Sequence, residues 1–480
     1  MSSTVDAPTG SSMSISYDVL VAGAGPAGVS AAIEAARRGA RVLVVEQRPH
    51  AGGAIHRAAH DGGPSAVPMP ARHKKNWARL QRELEGLAGR IRLLTSAVFL
   101  GIDGQGVCMI DSRADNQVKL VRPRAVIFAT GATERVPHIP GWQLPGVVTA
   151  GGLQVQMKES GQAPRGRILV AGNGPLPLAL AAQLAALGNA PVAVLEAADP
   201  YRNVWSRPLA ALGLAAGPRQ LLEAMAYFRA LRAARVPYRT ATTVSAVTRY
   251  DAVSKDDAAG QDDAASRNEA VSQGDAVNRD NAASMGDASQ ADAGLLVRTR
   301  DRRGQEREYR VDLLVLHGGL ACNDRGIPAD DMHGIVIAKA GDCNQVLGAD
   351  AALSEGRRIA AMVMAKLAGG NAPRQDSQWH GPNATDRHPV GAPWAAAFQK
   401  SVWRLFEHAP MPTDADTVVC RCEGVTRRAL ADQDLHSARE IRLVGRIGMG
   451  LCQGRFCAHA ASTAASSDDG ELTLADIDGA

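Results

Sequence analysis

Four cysteines near the end of the chain carry the most specific chemistry. Cys420 and Cys422 form a C-x-C pair, Cys452 and Cys457 form a C-x4-C pair, and 29 residues lie between the two pairs. Two tight loops that each present two thiolates suit a [2Fe-2S] cluster, whose irons need four soft ligands in all. Structural zinc is the rival, although its pairs favour C-x2-C to C-x4-C spacing and C-x-C is less usual among them. Four unrelated thiols are a third reading. The remaining cysteines, Cys108, Cys322 and Cys343, read as small buried side chains.

A second chemistry sits at the other end. Gly23, Gly25 and Gly28 follow an apolar run, Val19 to Ala22, in the spacing GxGxxG, and a helical segment opens at Pro26 and Ala27. A second apolar run, Val42 to Val45, ends in Glu46, 23 residues after the first glycine. Gly23 permits the tight turn, Gly25 lets the backbone approach a pyrophosphate, and Gly28 lets helix and strand pack closely. Glu46 can bond a ribose hydroxyl, and the phosphates would sit on the helix N-terminus. Gln47 follows, and Gly52-Gly53 mark a turn that could pass close to an isoalloxazine ring, which points to FAD. Thr130 and Gly131 after the run AVIFA, and Asp342 after Gly341 at the head of a helix of small residues, suit the rest of a flavin site, with Asp342 bonding a ribityl hydroxyl. Cys343 beside Asp342 would then lie near the ring. No cysteine occurs between Gly23 and Gly104, so the vicinal redox pair of a flavin disulfide reductase is absent there.

Residues 167–196 repeat the opening design: strand ILVAG, then Gly172-Asn-Gly174, an Ala/Leu helix and strand VAVLE ending in Glu196. The third glycine position is Pro177, tolerated in a first helical turn but without the close-packing role of glycine. One reading is an NAD(P) site in which Glu196 favours NAD; the other is a retained fold whose site is empty or reused. No convincing acid-base pair appears, because His56, His317 and His333 are scattered and read as surface or satisfied core histidines.

These elements imply an α/β chain of two Rossmann-like dinucleotide-binding domains and a small C-terminal helical [2Fe-2S] domain. The expected division is a tail at 1–16, a discontinuous FAD domain at 17–150 and 310–370, an NAD(P)-type domain at 151–309, a linker at 371–410, the cysteine module at 411–465 and a tail at 466–480. Residues 251–292 form a hexapeptide repeat of units such as DAVSKD and DAAGQD, with too little apolar surface to offset ordering entropy. Its flanks, TTVSAVTRY and GLLVRTR, alternate like paired strands, so the repeat reads as a loop at a hairpin tip. A net charge of +4 over 480 residues, with 4% aromatics, argues against a nucleic-acid surface. The polar start lacks a signal peptide, and no run of about 18 apolar residues exists, so a cytoplasmic protein without a transmembrane segment is expected, with peripheral docking through a partner left open.

The motifs GAGPAG with Glu46 and Gly52-Gly53, ATGATERVPHIPGW, GNGPLPLALAAQL and AGDC resemble the two-dinucleotide-binding-domain flavoproteins. The segment GMGLCQGRFC resembles the [2Fe-2S] domain of bacterioferritin-associated ferredoxin. Together, in this order, they are similar to the alpha subunits of heteromeric amine dehydrogenases. That resemblance implies an electron-transfer subunit carrying FAD and [2Fe-2S], with a pyridine nucleotide as optional occupant of the second fold. It also implies an FAD-containing beta subunit of D-amino-acid-oxidase type that oxidises an opine, hydroxyproline or glycine-type substrate, and an acceptor such as a quinone chain. Where relatives tend to read Pro-Asn after the LHGG-type strand, this chain has Ala321-Cys322-Asn323. Two other readings stand beside it: a self-sufficient NAD(P)H-dependent reductase, and a non-catalytic scaffold with a structural zinc.

Overall fold

The computed structural model describes residues 16–251, 293–369 and 393–457, apart from 410, 412, 434 and 436. The expected N-terminal tail up to residue 15, the repeat beyond Asp251, most of the linker and the chain after 457 lie outside the described residues.

In chain order the elements begin β1 (Val19–Ala22), α1 (Pro26–Arg37), β2 (Val42–Val45), α2 (Ala71–Glu85), β3 (Ile91–Leu94), β4 (Ala97–Ile102), β5 (Cys108–Ser112), β6 (Gln117–Val121), β7 (Ala125–Phe128), β8 (Ala132–Glu134) and β9 (Val147–Thr149). There follow α3 (Ala150–Ser160), β10 (Ile168–Gly172), α4 (Pro175–Ala186), β11 (Ala193–Glu196), α5 (Pro200–Ser206), α6 (Pro208–Gly213), α7 (Pro218–Ala233), β12 (Tyr238–Arg239), β13 (Thr242–Asp251), β14 (Ala293–Asp301), β15 (Glu306–Val311), β16 (Leu313–His317), β17 (Leu320–Cys322) and β18 (Val336–Lys339). The last are α8 (Ala349–Leu367), α9 (Pro393–Leu405), β19 (Val418–Cys420), β20 (Val425–Thr426), α10 (Arg427–Ala431) and α11 (Ala438–Leu443).

Continuous apolar strands with every residue buried, as in β1, β2 and β7, are what a parallel sheet covered on both faces requires. They form a parallel sheet in the order β18-β7-β1-β2-β3. Ala22 faces Phe128, which faces Lys339, so the carboxyl ends of β1, β7 and β18 lie side by side. Over this sheet α1 meets α8 almost backbone to backbone: a Cβ at Gly356 would lie 2.1 Å from the Ala27 carbonyl oxygen. The small residues of both helices are there for close approach, and a side chain at Gly356 would force them apart.

A second parallel sheet runs β12-β11-β10-β16-β9, and β13-β14-β15 form an antiparallel sheet beside it. The alternating flanks of the repeat do pair, with Thr242 opposite Asp301 and Tyr250 opposite Gly294. The expected domain limits need correction. β9, before residue 150, and β16, after residue 310, both belong to the second sheet, where Leu316 faces Thr149 and His317 faces Gly172. The two halves are joined instead by the antiparallel ribbon β8–β17. The buried run LLVLH fits the vacant place beside β10 and could not have been assigned to one sheet by composition alone.

The described part of the C-terminal module is built from short elements. Its helices α10 and α11 span only five and six residues, and they close with the ribbon β19–β20 around Val419, Cys420, Leu430, Ile441, Ile447 and Cys457. Turns at Gly448 and Gly454, with φ of +83° and +81°, carry the chain between its cysteines, a conformation that costs glycine little. Among the described residues no helix is long and apolar enough to cross a membrane.

Candidate functional site

The first glycine turn lies at the carboxyl ends of β1, β7 and β18, the place where open α/β sheets take ligands. Gly23 has φ of +106°, and a Cβ there would sit 2.4 Å from the Ala129 carbonyl oxygen. A Cβ at Gly28 would lie 1.9 Å from the Gly23 carbonyl oxygen, so helix and turn touch. Pro26 opens α1, and no acidic side chain occupies its first turn, which leaves the N-terminal N–H groups for an anion. Among the described residues, what stands above Gly25 is the backbone of Gly53, whose Cα is 3.6 Å from the position a Gly25 Cβ would take. Backbone over backbone is the cradle a pyrophosphate needs and a side chain would fill.

Glu46 is buried and accepts hydrogen bonds from Ala24 N–H and Arg48 N–H, both at 2.9 Å. It therefore fixes the turn, and its carboxylate oxygens keep lone pairs that can accept ribose hydroxyls. Gln47 is exposed. Thr130 and Gly131 are held by a residue noticed in the sequence only as a departure. Asn323 donates from Nδ2 to Thr130 O at 3.2 Å and from its backbone N–H to Gly131 O at 3.0 Å, while Thr130 Oγ1 donates to Asn323 O. Asp342 accepts from the N–H groups of Leu347 and Gly348, both through Oδ1, so Oδ2 takes no hydrogen bond among the described residues. Burial raises the Asp342 pKa despite these two donors. Cys343 is buried with its thiol 3.1 Å from Thr130 Oγ1, and burial pushes that thiol up. The structure thus brings Gly23, Gly25, Pro26, Ala27, Gly28, Glu46, Gly53, Thr130, Gly131 and Asp342 to one end of one sheet.

Sequence reasoning passed over the support beneath this loop. Lys158 of α3 is buried and donates to the carbonyls of Ala54 and Ile55, at 2.9 and 3.2 Å, and to Gln154 Oε1 at 3.2 Å. Burial lowers its pKa to about 8, with Arg57 adding to the effect. His56 stacks on Trp77 at 4.9 Å and is lowered to about 4, chiefly by burial. His317, expected to be a surface or satisfied core histidine, is buried and bonds Glu134, which also accepts from Ala150 and Gly151 N–H at the start of α3. An interior lysine and glutamate paired through tertiary contacts leave no periodic signal in sequence.

The second glycine turn repeats the first in its acid. Glu196 accepts from Gly174 N–H and Ala198 N–H, both at 3.0 Å. It is more deeply enclosed, and burial raises its pKa to about 8 despite donors that include the Tyr238 hydroxyl. Over Gly174 lies a side chain rather than backbone: Trp403 of α9 places its ring 3.5 Å from the position of a Gly174 Cβ and 3.2 Å from that of a Gly319 Cβ. Pro177 is buried in α4, and Gly172 packs on His317.

The cysteine module docks on both halves. Trp142 Nε1 donates to Val418 O at 2.6 Å, and Arg421, between two of the cysteines, lies over the rings of Trp142 and Phe456 at 5.7 and 5.6 Å. Arg325 Nη1 donates to Gln453 O at 3.2 Å, so the loop of Cys452 rests two residues from Asn323, which holds Thr130 and Gly131. The thiols meet as a chain of pairs, Cys422 with Cys452, Cys452 with Cys457, and Cys457 with Cys420. Burial pushes Cys457 far above the ordinary thiol range; Cys452 is also raised by burial, but hydrogen bonds led by Phe456 N–H leave it lowered. Among the described residues no group of three or more His, Cys, Asp or Glu side chains is spaced to hold a metal ion. The two observations are compatible, since linked pairs of thiols do not converge on one point as ligands of a single ion must.

Residues 17–212 match the pyridine nucleotide-disulphide oxidoreductase family. The chain is 27% identical over 473 residues to one of the subunits of opine oxidase from Agrobacterium tumefaciens, covering 96% of this chain and 88% of that one. It is 28% identical over 457 residues to hydrogen cyanide synthase subunit HcnB of Pseudomonas aeruginosa, covering 91% and 90%. The crystal structure of L-proline dehydrogenase from P. horikoshii shares the fold, with a TM-score of 0.54 at 15% identity over 97% of this chain and 76% of that one. These homologies make the chain an FAD-dependent oxidoreductase.

Proposed function

We propose that this pyridine nucleotide-disulphide oxidoreductase homologue is the electron-transfer subunit of a heteromeric dehydrogenase acting on an amine or imino acid, with FAD at the first glycine turn and a [2Fe-2S] cluster on Cys420, Cys422, Cys452 and Cys457. The observation that carries the reading is the contact between the two sites. The Cys452 loop is bonded through Gln453 to Arg325, and Asn323, two residues earlier, holds Thr130 and Gly131 of the flavin-type turn. Two redox groups placed there would be neighbours, joined by a few covalent and hydrogen bonds.

When bound, the flavin supplies two-electron and one-electron chemistry and the cluster supplies one-electron chemistry. This chain's own residues do the rest. The bare backbone of Gly25 and Gly53 leaves room for the pyrophosphate, Glu46 orients the ribose, and Lys158 pins the loop at Ala54 and Ile55 from the second half. Among the described residues no buried acid-base pair aims at the open face of the turn: Glu134 and His317 are spent on each other and on α3. That supports relay over substrate oxidation in this chain, with the C–N bond broken on a partner, as the naming of the opine oxidase and hydrogen cyanide synthase relatives as subunits suggests. Trp403 over Gly174 weighs against a self-sufficient NAD(P)H-dependent reductase.

Purified under anaerobic conditions, the protein should be yellow-brown and contain equal amounts of iron and acid-labile sulfide, with the brown component lost in Cys452→Ser while flavin is retained. Zinc without sulfide would overturn the cluster. Reduction should require the partner and its substrate; full bleaching by NADH alone would replace relay by the reductase reading.

A further inference from the structure

Beside the covered glycine turn, the second half of the chain opens a cleft of about 610 Å³. It lies past the carboxyl end of β12, whose last residue is Arg239, next to the strand that ends in Glu196. Its floor includes Thr242 and Thr299, both buried. Its walls carry five arginines, Arg202, Arg239, Arg302, Arg303 and Arg307, against Asp199 and Asp301, an excess of three positive charges.

The two acids are already engaged. Asp301 accepts from the backbone N–H groups of Arg303 and Gln305, and Asp199 pairs with Arg302 at 2.7 Å and accepts from Arg202 N–H. Among the described residues, the other four arginines form no ion pair. The Nε of Arg239 is buried without a hydrogen-bond partner among the described residues, and a buried donor left unmet is costly. A fold that gathers unpaired guanidinium groups around a cleft large enough for a small molecule has built a receptor for anionic charge. Guanidinium groups present planar forks of donors that match phosphate oxygens two at a time, and several of them suit a ligand with several charges rather than one carboxylate. Tyr201 and Trp205 stand on the rim, exposed at 63% and 87%, where a flat ring could stack.

We propose that this cleft binds an oligophosphate anion, free or attached to a nucleoside, at a site separate from both glycine turns. Sequence reading placed the second nucleotide site at Gly172 and Gly174; the open and charged space lies beside it, on the hairpin β14–β15 and on α5. The ligand would tie that hairpin to the second sheet without entering the volume that Trp403 fills.

The test is calorimetric titration of the flavin-loaded full chain with tripolyphosphate at constant low ionic strength, against acetate at matched ionic strength. One saturable tripolyphosphate site per chain is expected, weakened at least tenfold by Arg239→Gln and by the exposed Arg303→Gln, and unchanged by Arg113→Gln, an exposed arginine of the first half. Arg303→Gln keeps the test valid if loss of Arg239 impairs folding. Titration with a nucleoside triphosphate then identifies the source: tighter binding than tripolyphosphate indicates a nucleotide, and equal binding indicates free oligophosphate. No saturable binding, or equal weakening by Arg113→Gln, would overturn the proposal.

Discussion

At the first glycine turn Glu46 accepts from Ala24 and Arg48; at the second, Glu196 accepts from Gly174 and Ala198. In each case the acid at the end of the second strand ties down the turn and the residue two places after itself. What differs is the covering. Backbone alone, from Gly53, stands over Gly25, whereas the indole of Trp403 stands over Gly174. The same strand-turn-helix-strand unit can thus stand under bare backbone or under a side chain brought in from a distant helix. The acid follows suit: Glu196, closed in, is raised to about 8 by burial.

The hardest way to break the comparison is steric. Gly28→Val would drive a side chain into the Gly23 carbonyl, 1.9 Å from where its Cβ must go, and overpacking of this kind costs about 1–3 kcal/mol or more. Flavin content after desalting should fall more than tenfold. At the matching position of the second unit, Pro177→Val should leave flavin content unchanged. Equal loss in both variants would show that the flavin depends on global stability and not on the first turn.

A somewhat smaller effect should separate the acids. Glu46→Gln turns one acceptor into a donor facing a backbone N–H and weakens contact with a ribose, so flavin affinity should drop roughly 10- to 100-fold, the equivalent of about 1.4–3 kcal/mol. Glu196→Gln should leave flavin affinity within twofold. Fluorescence recovery of flavin released on dilution reads both, and a large loss from Glu196→Gln would join two sites that the structure keeps apart.

The units were legible to different depths for physical reasons. Glycine spacing and the acid at the strand end are local, so both Rossmann-like units, their helices and the paired flanks of the repeat could be read directly. The places of β9 and β16 could not, because a buried apolar strand fits any parallel sheet. Trp403 was invisible as a lid, since its contact to Gly174 links residues far apart in the chain, and so was Lys158, whose partners are carbonyls of another element. Asn323 did announce itself, but only as an oddity; its grip on Thr130 and Gly131 gives it a reason. The cysteines were legible by spacing, and their docking through Trp142, Arg421 and Arg325 was not.

Titration offers a finer comparison. The Glu196 pKa in the folded chain, about 8, exceeds its ordinary value of 4.5, so the unfolded chain gives up this proton first as pH rises. Stability from this group is therefore fully present below about 4.5 and is lost as pH rises through 8. Thermal melts between pH 5 and 9 should fall more steeply in the native protein than in Glu196→Gln, by about 1–2 kcal/mol across the range. Parallel curves would mean that Glu196 stays ionised and that its enclosure is looser than its burial implies.

The last comparison asks whether Trp403 alone closes the second turn. The residue is half-buried, so Trp403→Ala should cost only about 1 kcal/mol, less than truncation of a fully buried aromatic. Its removal uncovers Gly174 and the N-terminus of α4, where Pro175 opens the helix and no acid occupies the first turn. If closure rests on the indole, NADH fluorescence should show no binding to the native protein and measurable binding to Trp403→Ala, with Trp403→Phe in between. Absence of binding in all three would place the barrier in the buried Glu196, whose oxygens already hold the turn from within. Binding to the native protein would mean that α9 lifts away, and the contrast between the two turns would then be one of population rather than of construction.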